Sequence, residues 1–106
     1  MTGASHRASV RIVNRLGMHA RPAAHFVRLA SRFAAEVYVS RDSVEVNGKS
    51  IMGVMMLAAE AGARIEVRAE GEDAARAVAE LVALVERGFD EDDEGRPVEG
   101  AGSAHA

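Results

Sequence analysis

The sequence predicts an α+β sandwich, with short antiparallel strands in one layer and all three helices packed on one face of it. Two observations lead there. Four short segments alternate apolar and polar residues with a period of two, whereas three longer ones carry apolar stripes at helical spacing. In chain order they run strand, helix, strand, strand, helix, strand, helix (βαββαβα). This domain is expected over residues 8–88, between a small polar segment (1–7) that frays and an acidic, disordered tail (89–106).

The first strand is read at Ala8 to Asn14, with Val10 and Ile12 on its buried side. Asn14-Arg15-Leu16-Gly17 then turns the chain. From about Ala20 to Arg32, Ala23, Phe26, Val27, Ala30 and Phe33 line one side of a helix, and Arg28, Ser31 and Arg32 the other. Glu36 to Ser40 and Val44 to Val46 are strands by alternation and β-branched content. Arg41-Asp42-Ser43 is their hairpin turn, and Asn47-Gly48 a loop, because Lys49 to Gly53 reads better as a helix start. Ser50 is placed to cap a helix from Ile51 to about Glu60, ended by Gly62. Val54, Leu57 and Ala58 are assigned to its core side. Ala63 to Ala69 alternates cleanly as the fourth strand. A last helix, Ala74 to Arg87, is expected to be capped by Asp73 and stopped by Gly88, burying Ala75, Val78, Leu81, Val82 and Val85. Glu72 and Asp73 near its start and Arg87 near its end complement the helix dipole.

Composition removes several classes of function. A chain of 106 residues suits one small domain, and with 4% aromatics its core must be built from Val, Leu, Ile, Ala and Met around three Phe. Without cysteine there is neither disulfide nor thiolate chemistry. A net charge of −3 speaks against nucleic acid as a partner. No basic-then-apolar leader and no apolar run of membrane-spanning length are seen, so a cytoplasmic protein without membrane insertion is expected. The acidic run Asp90-Glu91-Asp92-Asp93-Glu94 lacks a rigid scaffold to hold carboxylates around a metal, so solvation is its expected role. His6, His25 and His105 are expected to be bystanders. No cofactor and no metal are expected.

The chemistry concentrates at Leu16-Gly17-Met18-His19-Ala20-Arg21-Pro22-Ala23. Pro22 suits a helix's first turn, where an amide would lack an intrahelical acceptor anyway. No Ser, Thr, Asp or Asn precedes it to take up the free N–H groups. An uncapped helix start with Arg21 in its first turn and His19 just before it invites an anion. The anion expected is a phosphoryl group carried on His19 itself. Backbone amides of Ala20 and Arg21 would meet its oxygens, and Arg21 would add a charge-assisted fork.

Gly17-Met18-His19-Ala20-Arg21-Pro22-Ala23 resembles the active-site signature of the histidine-containing phosphocarrier (HPr) family of bacterial phosphotransferase systems. Lys49-Ser50-Ile51-Met52-Gly53-Val54-Met55 is similar to that family's regulatory-serine region, and the similarity runs from about Ala8 to Arg87. The resemblance implies an open-faced, four-stranded fold, to which the charged Arg11, Glu45, Glu66 and Arg68 on the strands' outer face conform. It also implies phosphorylation of His19 at Nδ1 by phosphoenolpyruvate-charged enzyme I, with delivery to the A component of a sugar permease. Such a protein is a stoichiometric intermediate and not a stand-alone enzyme. Ser50 is implied as the target of a serine kinase/phosphorylase, with a transcriptional regulator as a further partner.

The second helix is apolar on nearly every side, too much for one sheet to cover. Ile51, Met52 and Met55, with Met18, are expected to form a partner-docking patch, for which adaptable methionines are suited. A monomer is expected. Three alternatives stay open: a regulatory or nitrogen-linked carrier that moves no sugar, a corepressor-type binding module acting through phosphorylated Ser50, and a small-ligand-binding regulatory domain of similar element order.

Overall fold

The computed structural model describes residues 4–92 and 94–97. The elements are β1 (Ser5–Arg11), α1 (Ala20–Ala30), β2 (Glu36–Arg41), β3 (Val44–Asn47), α2 (Ile51–Met56), β4 (Arg64–Glu70) and α3 (Ala74–Glu86), in the expected βαββαβα order. The strands form one antiparallel sheet, β1-β4-β2-β3. β4 therefore fills the gap between the first two strands, and the three helices cover one side.

The period of two sorts side chains between core and water. Val37, Val39, Ile65, Val67 and Ala69 are at most 1% exposed and share one core with Phe26, Ala30, Leu81, Leu84 and Val85. On the open face, Arg68 lies 4.2 Å over the Tyr38 ring and pairs with Glu45 (3.1 Å) and Glu70. The hairpin between β2 and β3 turns at Asp42 (φ 56°), a conformation that Asp tolerates.

Several expectations are corrected. The expected fraying of residues 1–7 does not hold for Ser5 to Arg7, which pair with Arg68 to Glu70 of β4; residues 1–3 lie outside the described residues. β1 ends at Arg11 rather than Asn14, although Ile12 still points inward and its amide donates to the Ala63 carbonyl (2.8 Å). α2 stops at Met56, not Glu60, because Arg41 reaches across from β2. Its Nη1 donates to the carbonyls of Leu57 (3.2 Å) and Ala58 (2.7 Å), and its Nη2 pairs with Glu60 (2.8 Å). Ala58, expected in the core, is exposed with φ 49°, and Gly62 turns a later loop instead of closing the helix.

Asp73 holds the N-cap position of α3 but does not cap it. Its carboxylate accepts from the Ala34 (2.9 Å) and Ala35 (2.8 Å) amides, tying α3 to the α1–β2 connection. Within α3, Ala75 is exposed; the buried stripe is Ala74, Ala77, Val78, Leu81, Leu84 and Val85, one position out of phase at its start. The expected disorder from residue 89 fails for the described part of the tail. Phe89 is buried in the core, and Glu91 pairs with Pro97 in an isolated bridge. Residues 93 and 98–106 lie outside the described residues.

Candidate functional site

His19 occupies the N-cap of α1 in extended conformation (φ −84°, ψ −170°), and its side chain makes no capping bond. The first helical turn is left as the sequence suggests. Pro22 has no N–H, and among the described residues the Ala20 and Arg21 amides have no acceptor. Arg21 is exposed and, among the described residues, has no ion-pair partner. The 11-residue α1 points the positive end of its dipole at this spot, with no acidic residue in its first turn to neutralise it. The His19 ring is a third exposed.

The loop carrying His19 is fixed by close packing. Gly17 (φ 72°) lies against the chain after α2, where a Cβ would come within 2.6 Å of the Ala59 carbonyl oxygen. The Met18 amide donates to that same oxygen (2.8 Å), and the His19 amide donates to the Gly17 carbonyl (2.9 Å). Only glycine permits both the left-handed turn and this approach.

Glu91, assigned by sequence to a solvated tail, is the unexpected member of the site. Its side chain is only 2% exposed. Oε1 lies 3.2 Å from His19 Nε2 in a hydrogen bond and accepts from Asn14 Nδ2 (3.1 Å), which also donates to the Gly17 carbonyl (2.8 Å). Oε2 is 3.1 Å from the same ring nitrogen but is not aligned for a hydrogen bond, so Oε1 carries the bond. Three consecutive left-handed residues, Gly88 (φ 70°), Phe89 (φ 59°) and Asp90 (φ 58°), swing the chain from the end of α3 back to His19. For a non-glycine residue this conformation costs about 1–2 kcal/mol. Burial of the Phe89 ring, on the order of 1.5–3 kcal/mol, offsets much of it. Beyond Glu91 the chain turns through Asp92, whose side chain accepts from the Glu94 (2.8 Å) and Arg96 (2.9 Å) amides. Gly95 then packs over Leu16 beside the His19 ring.

Away from this centre, Ser50 caps α2 as expected, its Oγ accepting from the Gly53 amide (3.0 Å). Ile51, Met52 and Met55 are exposed. Met56, not expected in the patch, joins them at 75% exposure. Met18 does not: at 5% exposed it belongs to the core and cannot present a docking surface. His25 is half-buried, and burial chiefly pulls its pKa down, as befits a ring kept neutral. The sequence reading thus placed His19, Ala20 and Arg21 together and overlooked Asn14 and Glu91. Gly88-Phe89 carried the missing signal: a large apolar residue directly after a helix stop anchors whatever follows it. Among the described residues no cluster of His, Asp and Glu could hold a metal ion, and no helix is long and apolar enough to cross a membrane.

A family model described as the PTS HPr component phosphorylation site matches residues 6–87. The phosphocarrier protein HPr of Treponema pallidum (strain Nichols) is 45% identical over 84 residues, covering 79% of this chain and 96% of that protein. That of Neisseria meningitidis serogroup A is 46% identical over 85 residues, covering 80% and 96%. Among solved structures, HPr-C-His from Thermoanaerobacter tengcongensis superposes with a TM-score of 0.79 at 42% identity, covering 82% of this chain and 98% of that one.

Proposed function

The chain belongs to the HPr family of phosphotransferase-system phosphocarriers, a stoichiometric carrier and not a stand-alone catalyst, and from that premise we propose that His19 is the residue that carries the phosphoryl group. In this reading it accepts the group from phosphorylated enzyme I and donates it to the A component of a sugar permease. The observation that supports it best is the start of α1 beside the partly exposed imidazole: two amides that have no acceptor, and an exposed Arg21 that has no ion-pair partner, among the described residues.

A carrier must hold its cargo loosely. A neutral imidazole nitrogen is nucleophilic near neutral pH, and the phosphoramidate it forms is reactive enough to be passed on. Each helix-terminus contact contributes about 0.3–1 kcal/mol when exposed and up to ~2 kcal/mol when partly buried. Arg21 adds charge-assisted bonds roughly twice as strong as neutral ones. These suffice to orient three oxygens, and they are small enough that a competing acceptor can draw the group away.

Ser50 fits a regulatory role in the same scheme. Its hydroxyl stands at the start of α2 directly before the exposed Ile51 and Met52. Phosphorylation would add about −1.5 to −2 charges there. A partner closing over the patch would have to desolvate that charge, so docking weakens while the fold stays intact. In this reading the protein works in the cytoplasm, where enzyme I and a serine kinase can reach it.

The test is intact-mass spectrometry after incubation with enzyme I and phosphoenolpyruvate. One acid-labile phosphate, absent in His19→Ala, is expected. No adduct on the wild-type protein would overturn the carrier reading and leave a binding module acting through Ser50.

A further inference from the structure

The family match ends at residue 87, four residues before the carboxylate that touches His19. We propose that Glu91 is a positioning residue for phosphoryl transfer: it holds the His19 imidazole with its proton on Nε2 and so leaves the Nδ1 lone pair as the nucleophile. This rests on the reading of His19 as the phosphoryl carrier.

The bonding around the carboxylate requires that proton. A buried carboxylate must be met by donors, because leaving it unpaired away from water is costly. Asn14 supplies one through Nδ2, at 3.1 Å from Oε1. Among the described residues the other group within reach is His19 Nε2, at 3.2 Å from Oε1 and 3.1 Å from Oε2. Were Nε2 unprotonated, its lone pair would face two carboxylate oxygens, so the hydrogen bond exists only with the proton on Nε2. Asn14 fixes the carboxylate in turn, because its amide group is anchored on the Gly17 carbonyl (2.8 Å) of the His19 loop. Gly95 closes over this edge of the ring; a Cβ there would lie 3.7 Å from Nε2. The Nε2 side is therefore covered by protein.

Covalent structure places the other nitrogen well. Nδ1 stands as many bonds from Cα as the oxygen of an Asp that caps a helix, and His19 is the N-cap of α1. A phosphoryl group on Nδ1 thus falls within range of the Ala20 and Arg21 amides, which have no acceptor among the described residues. In the transfer step the Nδ1 lone pair attacks phosphorus, a new N–P bond forms, and the donor's bond to phosphorus breaks with its electron pair returning to the donor. The ring becomes a cation with Nε2–H still in place. No proton leaves, and the positive charge is shared along the Nε2–H bond to the Glu91 carboxylate. Delivery reverses the sequence and regenerates the neutral Nε2–H ring.

Long-range 1H–15N NMR spectra of the His19 ring and rapid-mix phosphorylation by enzyme I test the assignment on the full chain. The neutral wild-type ring should show the Nε2–H tautomer. In Glu91→Ala that signature should give way to a tautomer mixture, with phosphorylation about tenfold slower and the amide spectrum of the domain preserved. Asp92→Ala loosens the turn that follows Glu91 while leaving the carboxylate in place, and should keep both the tautomer and the rate. An Nδ1–H ring in the wild type, or an unchanged tautomer and rate in Glu91→Ala, would overturn the proposal. Equal losses in Glu91→Ala and Asp92→Ala would also overturn it, by assigning the effect to the turn as a whole. The tautomer is read without phosphate, so a failure of the carrier reading and a failure of the Glu91 role give different results.

Discussion

Replacing Gly17 by alanine tests how the His19 loop is held, and Gly62→Ala supplies the control. Both glycines have positive φ, 72° and 91°, so alanine at either carries the left-handed cost of about 1–2 kcal/mol. They differ in their surroundings. At Gly17 the added Cβ would meet the Ala59 carbonyl oxygen at 2.6 Å and Glu60 Cα at 2.9 Å, both backbone atoms; at Gly62 nothing lies within 4 Å. Overpacking of this kind costs about 1–3 kcal/mol. Gly17→Ala should therefore destabilise by about 2–5 kcal/mol and Gly62→Ala by about 1–2 kcal/mol. For a domain near 100 residues, at about 4 °C per kcal/mol, Tm should fall by roughly 8–20 °C in the first and roughly 4–8 °C in the second. Thermal melts followed by circular dichroism, with urea titrations alongside, measure both. Because Met18 and His19 hang on the displaced carbonyls, phosphoryl uptake should also slow in Gly17→Ala, measured where it is still folded. Equal destabilisation by the two substitutions would refute the close approach as the feature that fixes this loop.

Arg21→Lys should slow transfer from enzyme I by about tenfold with an unchanged urea midpoint, because an ammonium cannot fork onto two phosphoryl oxygens; unchanged kinetics would remove Arg21 from the site. Ser50→Asp should phosphorylate more slowly on His19 than wild type, whereas Ser50→Ala should keep the rate and lose about 1 kcal/mol of stability with its cap, both read by rapid-quench assay and urea titration. Met52→Glu, on a side chain 76% exposed, should weaken partner binding in calorimetric titrations without lowering Tm. The Ala34 amide, and after it the Ala35 amide, hold the Asp73 carboxyl below its ordinary value of 3.8. Its contribution to stability is therefore complete above that value and is lost as pH falls through the lower, folded one. Between pH 5 and pH 3 the wild type should lose more stability than Asp73→Asn, as followed by urea titration at each pH.

Most of the architecture is legible because it depends on local periodicity. Val37, Val39, Ile65 and Val67 alternate with charged or polar neighbours, and Phe26, Val27 and Ala30 recur at helical spacing, so faces and order follow directly. The helix start on which the candidate site is built is legible for a similar reason: Pro22 marks it, no capping side chain precedes it, and His19 and Arg21 stand beside it. What escaped depends on contacts between residues far apart in sequence. Asp73 has the local chemistry of a cap, yet Ala34 and Ala35 offer two amides at once, and the carboxylate turns to them. α2 ends where Arg41, brought alongside by the sheet, collects its carbonyls. Glu91 stands in an acidic run whose composition reads as solvated, whereas the buried Phe89 ring and the left-handed turn around it bring it to Asn14 and His19. Met18 is apolar within the His19 loop, where local pattern does not separate surface from core, and its side chain lies in the core.

α2 spans six residues, and so short a helix does not persist by itself in water. What keeps it wound is borrowed: the Ser50 hydroxyl at one end, the Arg41 guanidinium just past the other, and the Val54 side chain beneath. Its winding, and with it the placement of the exposed Ile51, Met52, Met55 and Met56 side chains, therefore depends on tertiary contacts from the loop before it, from β2 and from the core at once.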